Sequence, residues 1–172
     1  HIMGGARTNA TYYDDVRVPL GNLVGEVNAG WSLITNQLNH ERVAIAPAGW
    51  VVRRLDEVTE WARRTELADG RRVIDQEWVQ IGLARVRARL EYLRLLNWKV
   101  AWSATQGAVS PADASATKVF GTEFYIEAYG ILMEILGPES ALRDPEAGTA
   151  LRNRLEATYQ GTLVLTFGGG TN

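Results

Sequence analysis

The sequence contains no cysteine and only two histidines among its 172 residues. Without cysteine the chain can form no disulfide framework, thiol nucleophile or thiolate metal site. The two histidines show no paired acid-and-histidine spacing along a helix, so we expect no metal. No serine or threonine lies in a recognisable nucleophile elbow, which argues against nucleophilic catalysis. The cytoplasm is the default compartment for a chain without disulfides, and we expect it here.

Long apolar runs and a strong charge of one sign are also missing. No segment approaches the roughly 20 apolar residues that a membrane span requires. A formal net charge of -2 gives no reason to expect nucleic acid or an anionic membrane as partner. No signal peptide is visible, and residues 1–3 resemble the remnant of an expression tag. With 46% hydrophobic residues, the chain is long enough for one domain with a sizeable core.

Hydrophobic periodicity predicts four long helices joined by short breaks. Asn28 is a plausible N-cap for the first helix, and Pro47 should bend that helix one to two turns past Glu41. Ser110 and Pro111 start the third helix, which has apolar residues on several sides and should be the most buried or face another subunit. The predicted helices cover residues 29–64, 75–106, 111–136 and 146–166. The apolar stripe of the second, with Asn97 as its polar interruption, consists of Val79, Leu83, Val86, Leu90, Leu93 and Val100. This pattern indicates an all-α fold, an antiparallel up-and-down four-helix bundle with a short extended N-terminal segment.

Domain organisation follows from the same pattern. Residues 1–28 mix glycine, proline and short β-prone pieces, and we interpret them as a tag remnant followed by the strand and linker remnant of a missing β-domain. Residues 29–172 form the predicted helical bundle domain.

Glu41 is the residue of the first helix that most needs an explanation. A seam with alternating spacings of three and four contains seven core-type residues and this one carboxylate. The seam comprises Trp31, Ile34, Leu38, Glu41, Ile45, Ala48, Val52 and Leu55. One interpretation is a buried carboxylate paired with Arg42, His40 or an arginine of the second helix. The other is a carboxylate that faces a cavity with its pKa raised by desolvation, ready to act as a general base.

The glycine run at residues 168–170 also allows two interpretations. Glycines let a backbone approach a ligand closely. Glycine after a helix end is more often a plain helix stop.

Several motifs together resemble the C-terminal domain of acyl-CoA dehydrogenases over nearly the whole chain. They are residues 13–19 (YDDVRVP), 22–26 (NLVGE), Gly30-Trp31, 38–42 (LNHER), 116–118 (ATK) to 135–137 (ILG), and 168–172 (GGGTN). In that family the 38–42 motif begins the catalytic helix. The 116–137 helix meets the adenosine part of the flavin across a subunit interface, and the 168–172 motif precedes a final helix, which is absent here.

The resemblance implies α,β-dehydrogenation of an acyl-CoA thioester, with FAD as cofactor and hydride acceptor. The family keeps its catalytic base either in the turn before the last helix, here Gly169, or on the first helix of this domain. The second position is Glu41, the implied base. Its neighbours Asn39 and Arg42 are the implied contacts to the CoA thioester arm. Gly137, Gly170 and Thr171 are the implied cofactor-binding residues.

Departures from the family pattern refine the expectation about partners. The chain has no Arg-x-x-Phe-Gly motif after the first helix, Glu134 replaces the usual glutamine, and Pro138 replaces the second glycine after Gly137. The chain therefore resembles subunits of actinobacterial heteromeric acyl-CoA dehydrogenases, which hold the flavin between unlike chains and often act on CoA esters of steroid side chains. This implies an acyl-CoA substrate, a homo- or hetero-oligomer of acyl-CoA dehydrogenase subunits, and an electron-transfer flavoprotein as acceptor.

Two alternatives to a dehydrogenase stay open at this point. A same-fold acyl-CoA oxidase differs in oxygen access, which the sequence does not determine. A non-catalytic helical assembly or oligomerisation module would tolerate replacement of Glu41. Under either interpretation we expect the chain on its own to fold and self-associate without turning over substrate.

Overall fold

The computed structural model describes residues 9–107, 109–137 and 149–172. The regular secondary structure in these ranges is helical, with α1 Gly30–Ala44, α2 Gly49–Arg64, α3 Glu77–Thr105, α4 Pro111–Leu136 and α5 Thr149–Val164. Two short 3-10 turns, Leu20–Asn22 and Val73–Asp75, lie before α1 and α3. The packed helices confirm the predicted all-α helical bundle. Residues 9–28 are exposed and contain no strand in the part described.

The predicted first helix is two helices, because the chain breaks between Ala44 and Gly49. Pro47 has no backbone N–H and cannot continue the helical hydrogen bonds, so the expected bend becomes a complete break. The predicted N-cap was also wrong: Ala29 occupies that position, whereas Asn28 adopts a left-handed backbone with φ 68°.

The seam predicted across the first helix is buried only beyond this break. Ala48 and Leu55 are in the core, whereas Trp31 is 78% exposed and Ile34 and Glu41 are exposed. The prediction of one packed face was therefore wrong for α1, which packs against α4 but contributes no residue to the hydrophobic core. The physical reason is that the break changes the helix direction, so the seam of α1 no longer continues the seam of α2.

Helices α2 and α3 contribute regularly spaced apolar residues to the core. The buried residues of α2 are Val51, Leu55, Val58 and Ala62. Those of α3 are Val79, Leu83, Val86, Leu90, Leu93 and Val100, which confirms the predicted stripe. Spacings of three and four residues place these side chains on one face of each helix.

Helix α4 is the most buried helix, as predicted. The Ser110 hydroxyl accepts a hydrogen bond from the Asp113 N–H, and Pro111 occupies the first turn. Twelve of its residues are buried, among them Phe124, Tyr125, Tyr129 and Leu132. The helix ends at Gly137, whose φ of 77° suits glycine.

Helix α5 was expected at residues 146–166. It spans Thr149–Val164, and residues 165–172 follow as a turn, which we call the C-terminal turn. Residues 1–8, Pro138 and residues 146–148, which carry other predictions, lie outside the described residues.

Candidate active site

Helix α1 carries the three predicted residues Asn39, Glu41 and Arg42. The Glu41 side chain is exposed, and within the described ranges it forms no hydrogen bond or ion pair. The interpretation of a buried carboxylate paired with Arg42, His40 or an arginine of α3 is therefore wrong, and Glu41 is not desolvated within this chain either. The structure leaves this carboxylate free to meet a group from outside the chain.

Asn39 and Arg42 lie three residues apart on one side of α1 and line the same shallow cleft. Thr35 and Leu38 complete the α1 wall, and Pro111 at the start of α4 forms the opposite wall. Both side chains are half-buried. The structure thus brings together the two residues predicted to contact substrate.

The Arg42 guanidinium joins three parts of the chain. Its Nε donates a hydrogen bond to the Gly169 carbonyl oxygen at 2.9 Å, and its Nη1 donates to the Ser115 hydroxyl at 3.2 Å. The predicted base on α1 is therefore one residue from a side chain that is anchored to the C-terminal turn and to α4. This anchoring role was not predicted for Arg42.

The C-terminal turn disfavours a side chain at residue 169. Gly169 and Gly170 have φ of 67° and 102°, a region that favours glycine. A Cβ added at Gly169 would lie 3.1 Å from Ile45 Cδ1 and 3.3 Å from Arg42 Cγ. A carboxylate at this position, where other family members are expected to carry their base, would be strained and crowded by α1.

Lys118 of α4 contacts the other side of the C-terminal turn. The side chain is 2% exposed. Its ammonium donates to the carbonyl oxygens of Thr166 and Gly170 and to the Asn172 Oδ1, at 3.1, 2.5 and 2.5 Å. Burial lowers the pKa of Lys118, and the nearby positive charge of Arg42 lowers it further.

Sequence reasoning did not identify Lys118, although a signal was present. It is the one basic residue in the sequence of α4, on a helix otherwise expected to be buried. The burial argument applied to Glu41 would have singled it out equally well.

The break between α1 and α2 is held by polar side chains of α3 and α4. Asn97 Oδ1 accepts a hydrogen bond from the Ala48 N–H at 2.9 Å, and its Nδ2 donates to the Ala46 carbonyl oxygen at 3.0 Å. The Tyr125 hydroxyl donates to the Pro47 carbonyl oxygen at 2.6 Å. Burial raises the pKa of Tyr125 above its ordinary range, so it remains a donor. These contacts set the direction of α1 and hence the position of Glu41.

Gly121 lets α4 approach this break closely. A Cβ added there would lie 2.5 Å from the Ala46 Cβ, a distance that real side chains do not reach. Neither Asn97, predicted only as a polar interruption of its stripe, nor Gly121 was recognised from the sequence as a residue that positions α1.

Gly137 does not join this site in the same chain. It ends α4, 19 residues after Lys118, which corresponds to about 28 Å along a helix. Arg42, Gly170 and Thr171 lie together at one end of α4, and Gly137 lies at the other.

The C-terminal turn fits one contact with a flavin. Gly170, Thr171 and Asn172 are exposed in the described part of the chain, and the glycines keep side chains away from the backbone there. These residues would form one wall against the cofactor, and an enclosed site needs further walls.

The described residues contain no cluster of three metal-ligating side chains. Within the same ranges, no helix is both long and apolar enough to cross a membrane.

Comparison with known proteins decides the family. The family model described as "Acyl-CoA dehydrogenase, C-terminal domain" matches residues 28–172. The chain belongs to the acyl-CoA dehydrogenase family. Family members are flavoproteins, and this chain corresponds to their C-terminal helical domain.

Two relatives with substantial identity to this chain come from Mycobacterium tuberculosis. The chain is 55% identical to acyl-CoA dehydrogenase FadE26 of that organism, over 100% of this chain and 44% of the relative. It is 44% identical to FadE29 of the same organism, over 98% of this chain and 43% of the relative. The chain thus spans less than half the length of these relatives.

Two solved structures share the fold at substantial identity. A chain of the ChsE4-ChsE5 complex from Mycobacterium tuberculosis superposes with a TM-score of 0.81 and 57% identity, covering 93% of this chain and 41% of that chain. A chain of the structure described as the Tcur3481-Tcur3483 steroid ACAD superposes with a TM-score of 0.80 and 42% identity, covering 94% and 41%.

Proposed function

We propose that this domain belongs to an FAD-dependent acyl-CoA dehydrogenase in which Glu41 removes the proton α to the thioester carbonyl. The observation that carries this proposal is the position of Glu41: exposed, without an ion-pair partner among the described residues, and next to Arg42, which contacts the C-terminal turn. The alternative base position in that turn is Gly169, where a side chain would be strained by the positive φ and crowded by Ile45 and Arg42.

The residues of this chain have three roles in the proposed reaction. Glu41 accepts the α-proton, Asn39 and Arg42 line the cleft that receives the thioester arm, and the C-terminal turn forms one wall of the cofactor site. Bound FAD supplies the two-electron acceptor that carboxylate chemistry alone lacks. The contacts we propose from this chain to FAD are Gly170 and Thr171, and an electron-transfer flavoprotein is the proposed final acceptor.

We take the substrate to be a CoA ester of a steroid side chain. The support is the 42% identity over 94% of this chain to a structure described as a steroid ACAD. The domain described here does not enclose an acyl chain, so its specificity rests on regions outside these residues.

The proposed partner is a second acyl-CoA dehydrogenase subunit, like or unlike this one. One side of α3 presents an exposed row with alternating spacings of three and four residues, the pattern of a helix-packing seam. This α3 seam consists of Ile81, Ala84, Ala88, Glu91, Leu95, Trp98 and Trp102. It extends about 31 Å along the helix, and Trp98 and Trp102 are each 66% exposed.

The location of Gly137 also supports an oligomer. It lies at the opposite end of α4 from Gly170 and Thr171, so one flavin does not reach all three within a single chain without spanning the length of that helix. A cofactor shared between two subunits would contact the Gly137 end of α4 in one subunit and the Gly170 end in the other. The homologous ChsE4-ChsE5 structure is a complex of two proteins.

The decisive experiment uses the full-length protein, co-expressed with its partner subunit. We would record the flavin absorbance after adding a panel of acyl-CoAs, steroid side-chain esters included, to the wild type and to Glu41→Gln. Loss of a general base typically costs about 10²- to 10⁴-fold in rate, so bleaching in Glu41→Gln should slow by at least about 100-fold.

Glu26→Gln is the matched control, since Glu26 is also exposed and lies outside the site. Equal bleaching rates in the wild type and Glu41→Gln would reject Glu41 as the base while leaving the enzyme class intact. A wild-type assembly that binds no flavin would favour a non-catalytic assembly module instead.

A further inference from the structure

Lys118 is a buried cation whose three donors are all directed at one short segment. The acceptors are the carbonyl oxygens of Thr166 and Gly170 and the side-chain oxygen of Asn172. An ammonium group has three N–H donors, so this geometry uses all of them. No carboxylate of the described residues forms an ion pair with it.

The environment of Lys118 disfavours a positive charge. Burial lowers its pKa and the neighbouring Arg42 guanidinium lowers it further, while the Glu123 carboxylate opposes this shift by a smaller amount. Charge-assisted hydrogen bonds to three neutral oxygens offset this cost. The ammonium therefore persists at this site because of the turn it binds.

The C-terminal turn contains three consecutive glycines, so ordering it costs more conformational entropy than ordering other residues would. Glycine loses more conformational freedom on ordering than any other residue. The N–H groups of Leu165, Phe167 and Gly168 bond to carbonyl oxygens at the end of α5, and within the turn Gly170 N bonds to Phe167 O and Asn172 N to Thr166 O. Side chains of α1 and α4 supply further anchoring.

Two cationic side chains from two helices converge on this turn. Arg42 of α1 binds the Gly169 carbonyl oxygen, while Lys118 of α4 binds the carbonyl oxygens on either side of it in sequence. The Thr122 hydroxyl, one helical turn after Lys118, lies 3.3 Å from the Asn172 Oδ1. The turn is thus held by side chains of α1, which carries Glu41, and of α4 together.

We infer that Lys118 is a positioning residue: its ammonium fixes residues 166–172 against α1 and α4, so that the backbone at Gly170 and Thr171 contacts the flavin in one geometry. This inference rests on the proposed function, because it takes the turn to be a wall of the cofactor site. Lys118 itself points into the protein and does not contact the cofactor.

The test compares wild type, Lys118→Met and Lys99→Met in the full-length protein with its partner subunit. Lys99→Met is the matched control, since Lys99 is exposed and pairs with Asp113. One measurement is amide hydrogen exchange in peptides that cover residues 166–172. The other is the dissociation constant of FAD, from flavin fluorescence during titration of the apoprotein.

We expect Lys118→Met to exchange at least tenfold faster in residues 166–172, with α3 unchanged, and to bind FAD at least tenfold more weakly. Lys99→Met should match the wild type in both. Unchanged exchange in the turn would overturn the inference. Faster exchange with unchanged FAD affinity would also overturn it, because the turn would then be ordered without serving the cofactor.

Lys118→Gln, which keeps two N–H donors, should give intermediate values and serves as the test variant if Lys118→Met does not fold. The proposed function fails in a different way, namely when the wild type itself binds no FAD or when Glu41→Gln bleaches normally. The two failures are therefore distinguishable.

Discussion

Replacement of Asn97 by leucine tests whether this side chain holds the break between α1 and α2. The amide forms two hydrogen bonds, with the Ala48 N–H at 2.9 Å and the Ala46 carbonyl oxygen at 3.0 Å. Both alanines are buried. Pro47 between them has no N–H, so the break cannot compensate with a backbone donor of its own there.

The expected magnitude follows from these two contacts. A buried donor or acceptor left without a partner costs about 1 to 3 kcal/mol. Two such groups predict that Asn97→Leu lowers the free energy of unfolding by about 2 to 6 kcal/mol, less whatever the break recovers by relaxing. Asn97→Asp keeps the acceptor for the Ala48 N–H and loses the donor to Ala46. It should therefore destabilise the protein mainly through the lost contact with the Ala46 carbonyl oxygen.

The assay is urea unfolding followed by far-ultraviolet circular dichroism, at a fixed protein concentration because assembly also stabilises the folded state. Asn36→Leu is the control, since Asn36 is exposed on α1, and its effect should stay within about 0.5 kcal/mol. A cost below about 1 kcal/mol for Asn97→Leu would refute the reasoning. It would mean that packing alone, or water, sets the direction of α1.

Two further predictions concern helix packing and assembly. Gly121→Ala would place its Cβ 2.5 Å from the Ala46 Cβ and should destabilise by about 1 to 3 kcal/mol; Gly130→Ala, with nothing within 4 Å, should stabilise by up to about 1 kcal/mol. Thermal unfolding of the two variants measures this difference. Equal shifts in their melting temperatures would contradict the close approach of α4 to Ala46. Leu95→Lys with Trp102→Lys places charge in the α3 seam and should weaken subunit association at least tenfold. Sedimentation velocity measures this, and an unchanged mass distribution would exclude the seam as an interface.

Local sequence patterns predicted most of the helices because capping and apolar periodicity depend on residues within one helical turn of each other. The Ser110–Pro111 start of α4 and the stripe of α3 were confirmed, since capping and periodicity depend on neighbours three or four residues away. The break near Pro47 was foreseen as a bend for the same local reason. The α3 seam was equally local and was missed because one stripe had already been assigned to that helix.

The surroundings of Glu41 were mispredicted because they depend on helix direction. The seam predicted over residues 31–55 assumes one continuous helix. The break at Pro47 invalidates that assumption. The resulting exposure of Glu41 agrees with the role that the resemblance implied, and that role remains a proposal.

The sequence by itself determined the family, the exclusion of cysteine chemistry, most of the helical ranges and the Ser110 cap of α4, because each depends on residue type and short-range spacing. Only the tertiary structure decided the contacts that build the site. Arg42 reaches Gly169 across 127 residues, Asn97 reaches Ala46 across 51, and Lys118 reaches Asn172 across 54. Each of these hydrogen bonds depends on how the whole bundle packs, because a difference of about an ångström in the separation of two helices makes or breaks it.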